Sequence, residues 1–546
     1  MSVKRYGIYI AYAPTVDLRN EGLGRYLANF VRGATESTDV DFVIACPSWS
    51  KEALEDLFRS EGLATQVSII HPIGKPWLLR SYETYQKVRA RRPRQRPAHN
   101  KSGGVLKWLQ DDVEKRLVQI HSPRSLLPLL LYGFTLSVLL LLYVQLLGAK
   151  SIGARLRNIT ARTFAPLMGK LRARLKRLTH SPKDNSWVRR QLQSMNEIES
   201  KRMQALIEAR KDVIAWYSPT AFWPAFNELR VPRLMCVPDV VLSDFSIGFS
   251  SVGGDRFLET FKSIEHAIRT ASHLVTYSEQ TKWHTLADRF SVPASRISVV
   301  RHAPSTLHHL IDIEGFPDSA ATSHHYCWQM LFTALQRTDN PYTTFFCNEQ
   351  VRFLFYPSQV RPNKNMLTLL RAFEHLAHER KLGLKLILTG DIANAPQLND
   401  YIAKHRLQAD VICLRNLSTT ELAACYRLAE VAVNPSLSEG GCPFTFTEAL
   451  SVGTPVVMSR IPVTLEVLTD PLMREATLFD PYDWRDIANR IEWAILNRAQ
   501  LLTLQRTAYA TLSTRTWADV AREHTDLLDA IAAQETSRPG GNNHAA

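Results

Sequence analysis

Two carboxylates flank a glycine-rich turn in the stretch Asn434-Pro435-Ser436-Leu437-Ser438-Glu439-Gly440-Gly441-Cys442-Pro443-Phe444-Thr445-Phe446-Thr447-Glu448. The apolar run Val431-Ala432-Val433 before it reads as a strand, and the residues after the turn read as a short helix. Strand, glycine turn and helix N-terminus together present backbone N–H groups to a phosphate. Glu439 and Glu448 add acceptors for sugar hydroxyls. Phosphate and polyol in one place suggest a nucleotide sugar. On this reading Glu448, Gly440, Gly441, Cys442, Pro443, Phe444 and Thr445 are the candidate donor-binding residues.

Arg361 and Lys364 follow the strand-like run Phe353–Tyr356 and precede a helical stretch. A diphosphate leaving group gathers negative charge as the sugar departs. Fixed cations and helix-terminal amides stabilise that charge without a metal. A surface salt bridge is the competing reading of Lys364. No His/Asp/Cys spacing suggests a metal site.

These residues need a frame. Strand-like runs at Tyr6–Ala11, Asp41–Cys46, Gln66–His71, Asp212–Tyr217, Arg233–Val237, His273–Tyr277 and Arg296–Arg301 look like one parallel sheet. A second α/β unit begins near Val351. Its expected strands are Phe353–Tyr356, Lys385–Thr389, Val411–Leu414, Val431–Asn434 and Pro455–Met458. Helical stretches at Met366–His378, Ala395–His405 and Thr419–Arg427 lie between them. Alternating strands and helices imply doubly wound parallel sheets. Two such units leave a cleft at the carboxyl ends of their strands, where ligands bind in this architecture. The expected division is 1–80 and 206–349 for the first domain and connection, 81–205 for an insertion and 350–510 for the donor domain. Residues 511–534 form a helix returning to the first domain, and 535–546 a disordered tail. Ser305–Asn348 shows no clean period.

With 546 residues, two domains plus extras is the prior. The seven cysteines lie far apart with no CxxC pair, which favours reduced thiols in a cytosolic compartment. The N-terminus has no signal-peptide core, so export is not expected. The net charge of +14 is uneven. Lys87 to Arg96 holds six basic residues, Lys150 to Arg177 nine more, and neither block holds an acid.

Between the blocks, Ser125 to Ala149 is uncharged for twenty-five residues, long enough to span a bilayer. A buried helix of a large soluble domain is the other reading. Strands of one sheet on both sides of this segment put its two ends on the same side of a membrane. The expectation is therefore a re-entrant or interfacial insertion on the cytoplasmic face rather than a single span. Basic flanks on both sides suit an anionic membrane surface. Nucleic acid is not expected, because the basic blocks lack interleaved aromatics and no binding motif is present.

The second half resembles the donor domain of GT-B retaining glycosyltransferases of family 4, the group 1 class. The likeness is carried by Arg361-Pro362-Asn363-Lys364-Asn365, Leu388-Thr389-Gly390-Asp391, Ser418–Glu421 before Tyr426-Arg427-Leu428-Ala429, the Glu439/Glu448 segment, and Phe479-Asp480-Pro481. In the first half, Gly22-Leu23-Gly24-Arg25 and Tyr277-Ser278-Glu279 are local echoes. The resemblance implies that Glu439 contacts the transferred sugar, that Glu448 contacts the ribose, and that Gly22, Gly24 and Arg25 form a loop near acceptor and donor phosphates. A plain strand–helix turn explains that loop equally well. The glutamates are separated by eight residues where the family has seven, so an extra residue sits within Gly441–Thr447. Pro238 stands where the family has a histidine, followed by Asp239. Retaining transfer in this fold is thought to go by front-face attack with help from the leaving phosphate. Asp239 then has the task of orienting a sugar or acceptor hydroxyl, with a capping aspartate as the competing reading. His302 and His324-His325 are weaker alternatives.

The implied function is metal-independent transfer of a hexose from a nucleoside diphosphate sugar to a lipid-linked or cell-envelope glycan. The Ser358–Asn365 segment resembles α-1,2-mannosyltransferases of lipid-linked oligosaccharide assembly, which hints at GDP-mannose. No cofactor is implied beyond the donor. The rival readings are a catalytically inactive GT-B scaffold at the membrane and a sugar-nucleotide epimerase.

Overall fold

Short runs of β-branched and aromatic residues, apolar on successive positions, make strands that are covered on both faces. RFLFY at 352–356 and VAVN at 431–434 are of this kind, and every residue of the second run is buried. Such runs belong inside parallel sheets with helices on either side. The computed structural model describes residues 3–14, 16, 18, 22–36, 39–77, 79–80, 186–253, 255–338, 340–392 and 395–537. The uncharged segment Ser125–Ala149, both basic blocks, most of the 81–205 insertion and residues 538–546 lie outside these. Among the described residues no helix is long and apolar enough to cross a membrane.

Strands β1 (Lys4–Tyr9), β2 (Val40–Ala45), β3 (Val67–Ile70), β4 (Trp216–Ser218), β5 (Arg233–Cys236), β6 (Leu274–Thr276) and β7 (Ile297–Val299) form one sheet in the order β3-β2-β1-β4-β5-β6-β7. Strands β8 (Arg352–Tyr356), β9 (Leu384–Thr389), β10 (Val411–Leu414), β11 (Val431–Asn434), β12 (Val456–Ser459) and β13 (Leu478–Phe479) form the second, in the order β10-β9-β8-β11-β12-β13. The pairings in both sheets are parallel. The strand order reverses between β1 and β4, and again between β8 and β11. Ligands bind at such reversals, outside the carboxyl ends of the strands. At the first reversal Gly7 pairs with Trp216, and a Cβ on Gly7 would lie 2.2 Å from the Trp216 ring.

The first core draws Val520, Leu528 and Ile531 from the helix Trp517–Thr536, more than two hundred positions beyond β7 in the chain. That helix lies against the helix Gly22–Thr35. A Cβ on Gly33 would sit 2.2 Å from the Trp517 carbonyl carbon, so only glycine permits this approach. The helix runs to Thr536, two residues into the stretch 535–546 expected to be disordered. Two further departures concern the connection and the last strand. Ser305–Asn348, which lacks a visible period, contains the helix Ser319–Gln336, capped by the Asp318 side chain. The sixth strand of the second sheet, β13, is two residues long and escapes sequence reading. The helix expected over Met366–His378 is regular to Glu374 and then widens into a π turn over His375–Glu379. The strand expected over Asp212–Tyr217 begins only at Trp216.

His524, on the last helix, is fully buried between Phe30 and Tyr217, with ring centroids at 5.2 and 5.0 Å. Nδ1 lies 2.8 Å from the Val520 carbonyl, and Nε2 has no partner among the described residues. Burial lowers its pKa from 6.5 to about 4. The unfolded chain therefore binds a proton that the folded one refuses. Stability is complete above pH 6.5 and falls as pH drops toward 4, by roughly 3 kcal/mol if the whole shift is expressed. His524→Leu should flatten this part of the profile. Urea unfolding between pH 4.5 and 7 checks it, and parallel profiles for the two proteins would refute the assignment.

Candidate active site

The loops after β8 and β11 border the reversal in the second sheet, and they are laced together. β8 ends in Tyr356, whose hydroxyl donates to the Lys364 carbonyl at 3.2 Å and lies 3.1 Å from Ser436 Oγ. Leu437 N–H donates to the Asn363 carbonyl at 2.8 Å, and Asn363 Nδ2 to the Ser438 carbonyl at 3.4 Å. Asn365 takes the left-handed conformation, with φ 53°, and starts the helix Met366–Glu374. This lacing brings Lys364 Nζ within 2.6 Å of Glu439 Oε1, both side chains about one-fifth exposed at 20% and 19%. Burial works against the Lys364 charge, but Glu439 outweighs it, and the ammonium pKa ends above its ordinary value.

Glu448 is buried on the helix Phe444–Ser451. Its Oε1 accepts from the Arg25 guanidinium at 2.8 Å and its Oε2 from the Tyr426 hydroxyl at 3.0 Å. Arg25 belongs to the first unit, so this bond crosses the cleft. Gly24 also has a packing task. A Cβ there would lie 2.0 Å from the Leu18 carbonyl, so its smallness serves chain packing. Gly22 faces open space.

The turn after Glu439 leans on the first unit. The Gly440 carbonyl accepts from Ser278 Oγ at 2.9 Å and from Thr281 Oγ1 at 3.4 Å. A Cβ on Gly440 would stand 1.8 Å from the Pro238 carbonyl oxygen and 3.2 Å from Asp239 Cβ. Gly441 faces Tyr277 and His302, and Phe444 packs on His302 with ring centroids 4.5 Å apart. Thr445 is buried, and Pro443 begins the helix. Burial pushes the Cys442 thiol up to about 12, which leaves it a neutral lining group. The motif that is one residue longer than the family pattern is thus the part that meets the other domain.

Asp239 lies beside this turn. Burial and then the Glu439 charge raise its pKa, against the pull of Lys364 and Arg361. Arg361 is bonded through Nη2 to Gln359 Oε1 at 2.5 Å, and its charge acts on Asp239. Burial lowers the pKa of His302, whose Nδ1 sits 3.1 Å from the Ala303 carbonyl. It is a neutral ring against the donor turn. Glu466 adds a further bridge, accepting from the backbone N–H groups of Glu279 and Gln280 at 3.2 and 3.1 Å and pairing with Arg301 at 3.0 Å. None of Tyr356, Tyr426 and Glu466 stands out in sequence as a site residue; the signals there are that Tyr356 closes a strand at its carboxyl end and that Tyr426 opens the Tyr426-Arg427-Leu428-Ala429 likeness.

Residues 345–511 match the family model described as Glycosyl transferases group 1. A curated relative, the probable sucrose-phosphate synthase 5 of Oryza sativa subsp. japonica, is 26% identical over 187 residues, 30% of this chain and 18% of that protein. The chain thus spans less than one-fifth of that relative's length. Among solved structures, Anabaena Alr3699/HepE in complex with UDP and glucose superposes with TM-score 0.53 at 12% identity, covering 96% of this chain and 100% of that one. A glycosyltransferase from Rickettsia africae gives TM-score 0.51 at 11% identity, covering 97% and 99%. The chain has the GT-B fold, and over residues 345–511 it is similar to the group 1 glycosyltransferases.

Proposed function

We propose that this protein moves a hexose, with retention, from a nucleoside diphosphate sugar to an acceptor held by the first unit. The observation that carries the reading is the Lys364–Glu439 pair, set at the reversal of the second sheet and covered by the Pro238–Asp239 turn of the first. As the sugar–phosphate bond lengthens, charge collects on the diphosphate. Lys364, with Arg361 nearby, is placed to take it up. Glu439 then exchanges its bond to Lys364 for sugar hydroxyls, Glu448 takes the ribose, and Asp239 orients a hydroxyl. The turn 440–445 excludes water once both ligands are in place.

UDP-hexose is the first donor to test, since the Anabaena structure holds UDP and glucose. GDP-mannose is the second, from the Ser358–Asn365 likeness. The twenty-five uncharged residues between two basic blocks support an anionic membrane surface on the cytoplasmic side as the workplace. They also support a lipid-linked or envelope glycan as the acceptor. The test is a thermal-shift series with UDP-glucose, GDP-mannose and ADP-glucose on detergent-purified protein. One donor at a hundredfold excess over its Kd should stabilise by about 2.7 kcal/mol. If no nucleotide sugar shifts the melting of folded protein, the donor reading fails.

A further inference from the structure

The two oxygens of the buried Glu448 carboxylate have unlike partners. Oε1 accepts from Arg25, which reaches across from the other unit on a side chain that is 40% exposed. Oε2 accepts from Tyr426, which is fully buried in Glu448's own unit. The first partner leaves when the cleft opens, and the second has nowhere to go. Tyr426 stands on the helix Thr419–Leu428, which starts with a complete capping box between Ser418 and Glu421. Its ring meets Phe355 edge-on at 5.0 Å. Its carbonyl accepts from Thr454 Oγ1 at 2.6 Å, and its side chain also bonds that of Thr445. Burial, followed by the Glu448 charge, holds the phenol well above its ordinary pKa, so it remains an O–H donor.

We propose that Tyr426 is a positioning residue for the donor's ribose: it fixes Oε2 of Glu448 so that Oε1 faces the cleft, where Arg25 occupies it until ribose hydroxyls do. This rests on the nucleotide-sugar reading above. A vicinal diol binds a carboxylate well only when the plane of that carboxylate is set beforehand, because the cost of ordering it is then already met by the protein. A hydroxyl on a fully buried ring sets that plane. A guanidinium from the opposite domain does not, since it departs with that domain.

Tyr426→Phe removes one hydroxyl and no volume. Calorimetric titration of wild type and variant with UDP and 2′-deoxy-UDP, and in parallel with GDP and 2′-deoxy-GDP, reads the effect. Wild type should prefer the ribonucleotide by about tenfold or more, in line with the loss of a hydrogen bond to a charged group. The variant should bind the ribonucleotide about tenfold more weakly and the deoxynucleotide almost unchanged, so that the preference collapses. Glu448→Gln should lose the same preference, and adding Tyr426→Phe to it should change little more. Equal weakening of both nucleotides would make Tyr426 a packing residue only and overturn the proposal. An intact preference would also overturn it. If wild type binds none of UDP, GDP and ADP, the donor reading falls and takes this proposal with it.

Discussion

Lys364→Ala should lower kcat by about 10²–10³, or roughly 3–4 kcal/mol of transition-state stabilisation, with a much smaller change in nucleotide affinity. Two effects add. The cation that meets the developing charge on the diphosphate is gone. Glu439, about one-fifth exposed, is left without the ammonium 2.6 Å away and beside the second carboxylate of Asp239. That leaves two carboxyl groups and no ammonium where a leaving group must gather negative charge. Lys364→Arg should recover only part of the loss, because a planar fork does not replace a compact ammonium set 2.6 Å from Glu439. Single-turnover transfer from a radiolabelled donor separates the chemical step from binding. A variant with wild-type turnover would remove Lys364 from the machinery.

Gly440→Ala is the second large effect, and it acts through the cleft rather than through charge. The added methyl would lie 1.8 Å from the Pro238 carbonyl oxygen, a backbone atom that cannot turn aside. The two units must separate, and the Ser278 and Thr281 bonds to the Gly440 carbonyl are lost with the contact. A displacement of about 1 Å between reacting groups costs about a hundredfold in rate, so kcat should fall by about that much. Nucleotide binding should survive, because the Lys364 and Glu448 sites lie within the donor unit. Gly441→Ala is the control. Its nearest neighbours are side-chain atoms of Tyr277 and His302 at 3.0–3.3 Å, which can yield, so its loss should be several-fold at most. Similar kinetics for the two variants would mean that the contact seen here is not the one made during transfer.

Most strands of the second sheet can be read from the chain because each is a short, mostly apolar run, as in Val431–Asn434 and Val411–Leu414. The helix Ser319–Gln336 cannot. Its sequence puts Ser323 in the buried face and sets His324 and His325 beside buried Cys327 and Trp328, which blurs any period. The chemistry of Glu439 and Lys364 is visible as residue type and spacing. Their pairing is not, because it depends on two loops tied together through Tyr356 and Ser436. Tyr426 and Tyr356 look like core aromatics in sequence, and only their hydroxyl partners distinguish them. The packing of Gly24 is hidden in the same way: a glycine beside an arginine suggests phosphate, and only the fold shows that its lack of a side chain also admits the Leu18 carbonyl while Arg25 reaches Glu448.

The helix Trp517–Thr536, placed by its apolar face in the first core, sets the order in which the protein can be assembled on the ribosome. Strands β1 to β7 emerge first, but their core lacks Val520, Leu528 and Ile531 until the last helix has been made. The donor sheet, from β8 to β13, emerges complete before that helix does. The later half of the chain is therefore the first that can close its core, the reverse of the usual amino-to-carboxyl sequence of domain folding. During that interval the helix Gly22–Thr35 shows bare the surface that Trp517 and its neighbours later cover, and the nascent chain depends on its surroundings to keep that surface from other partners.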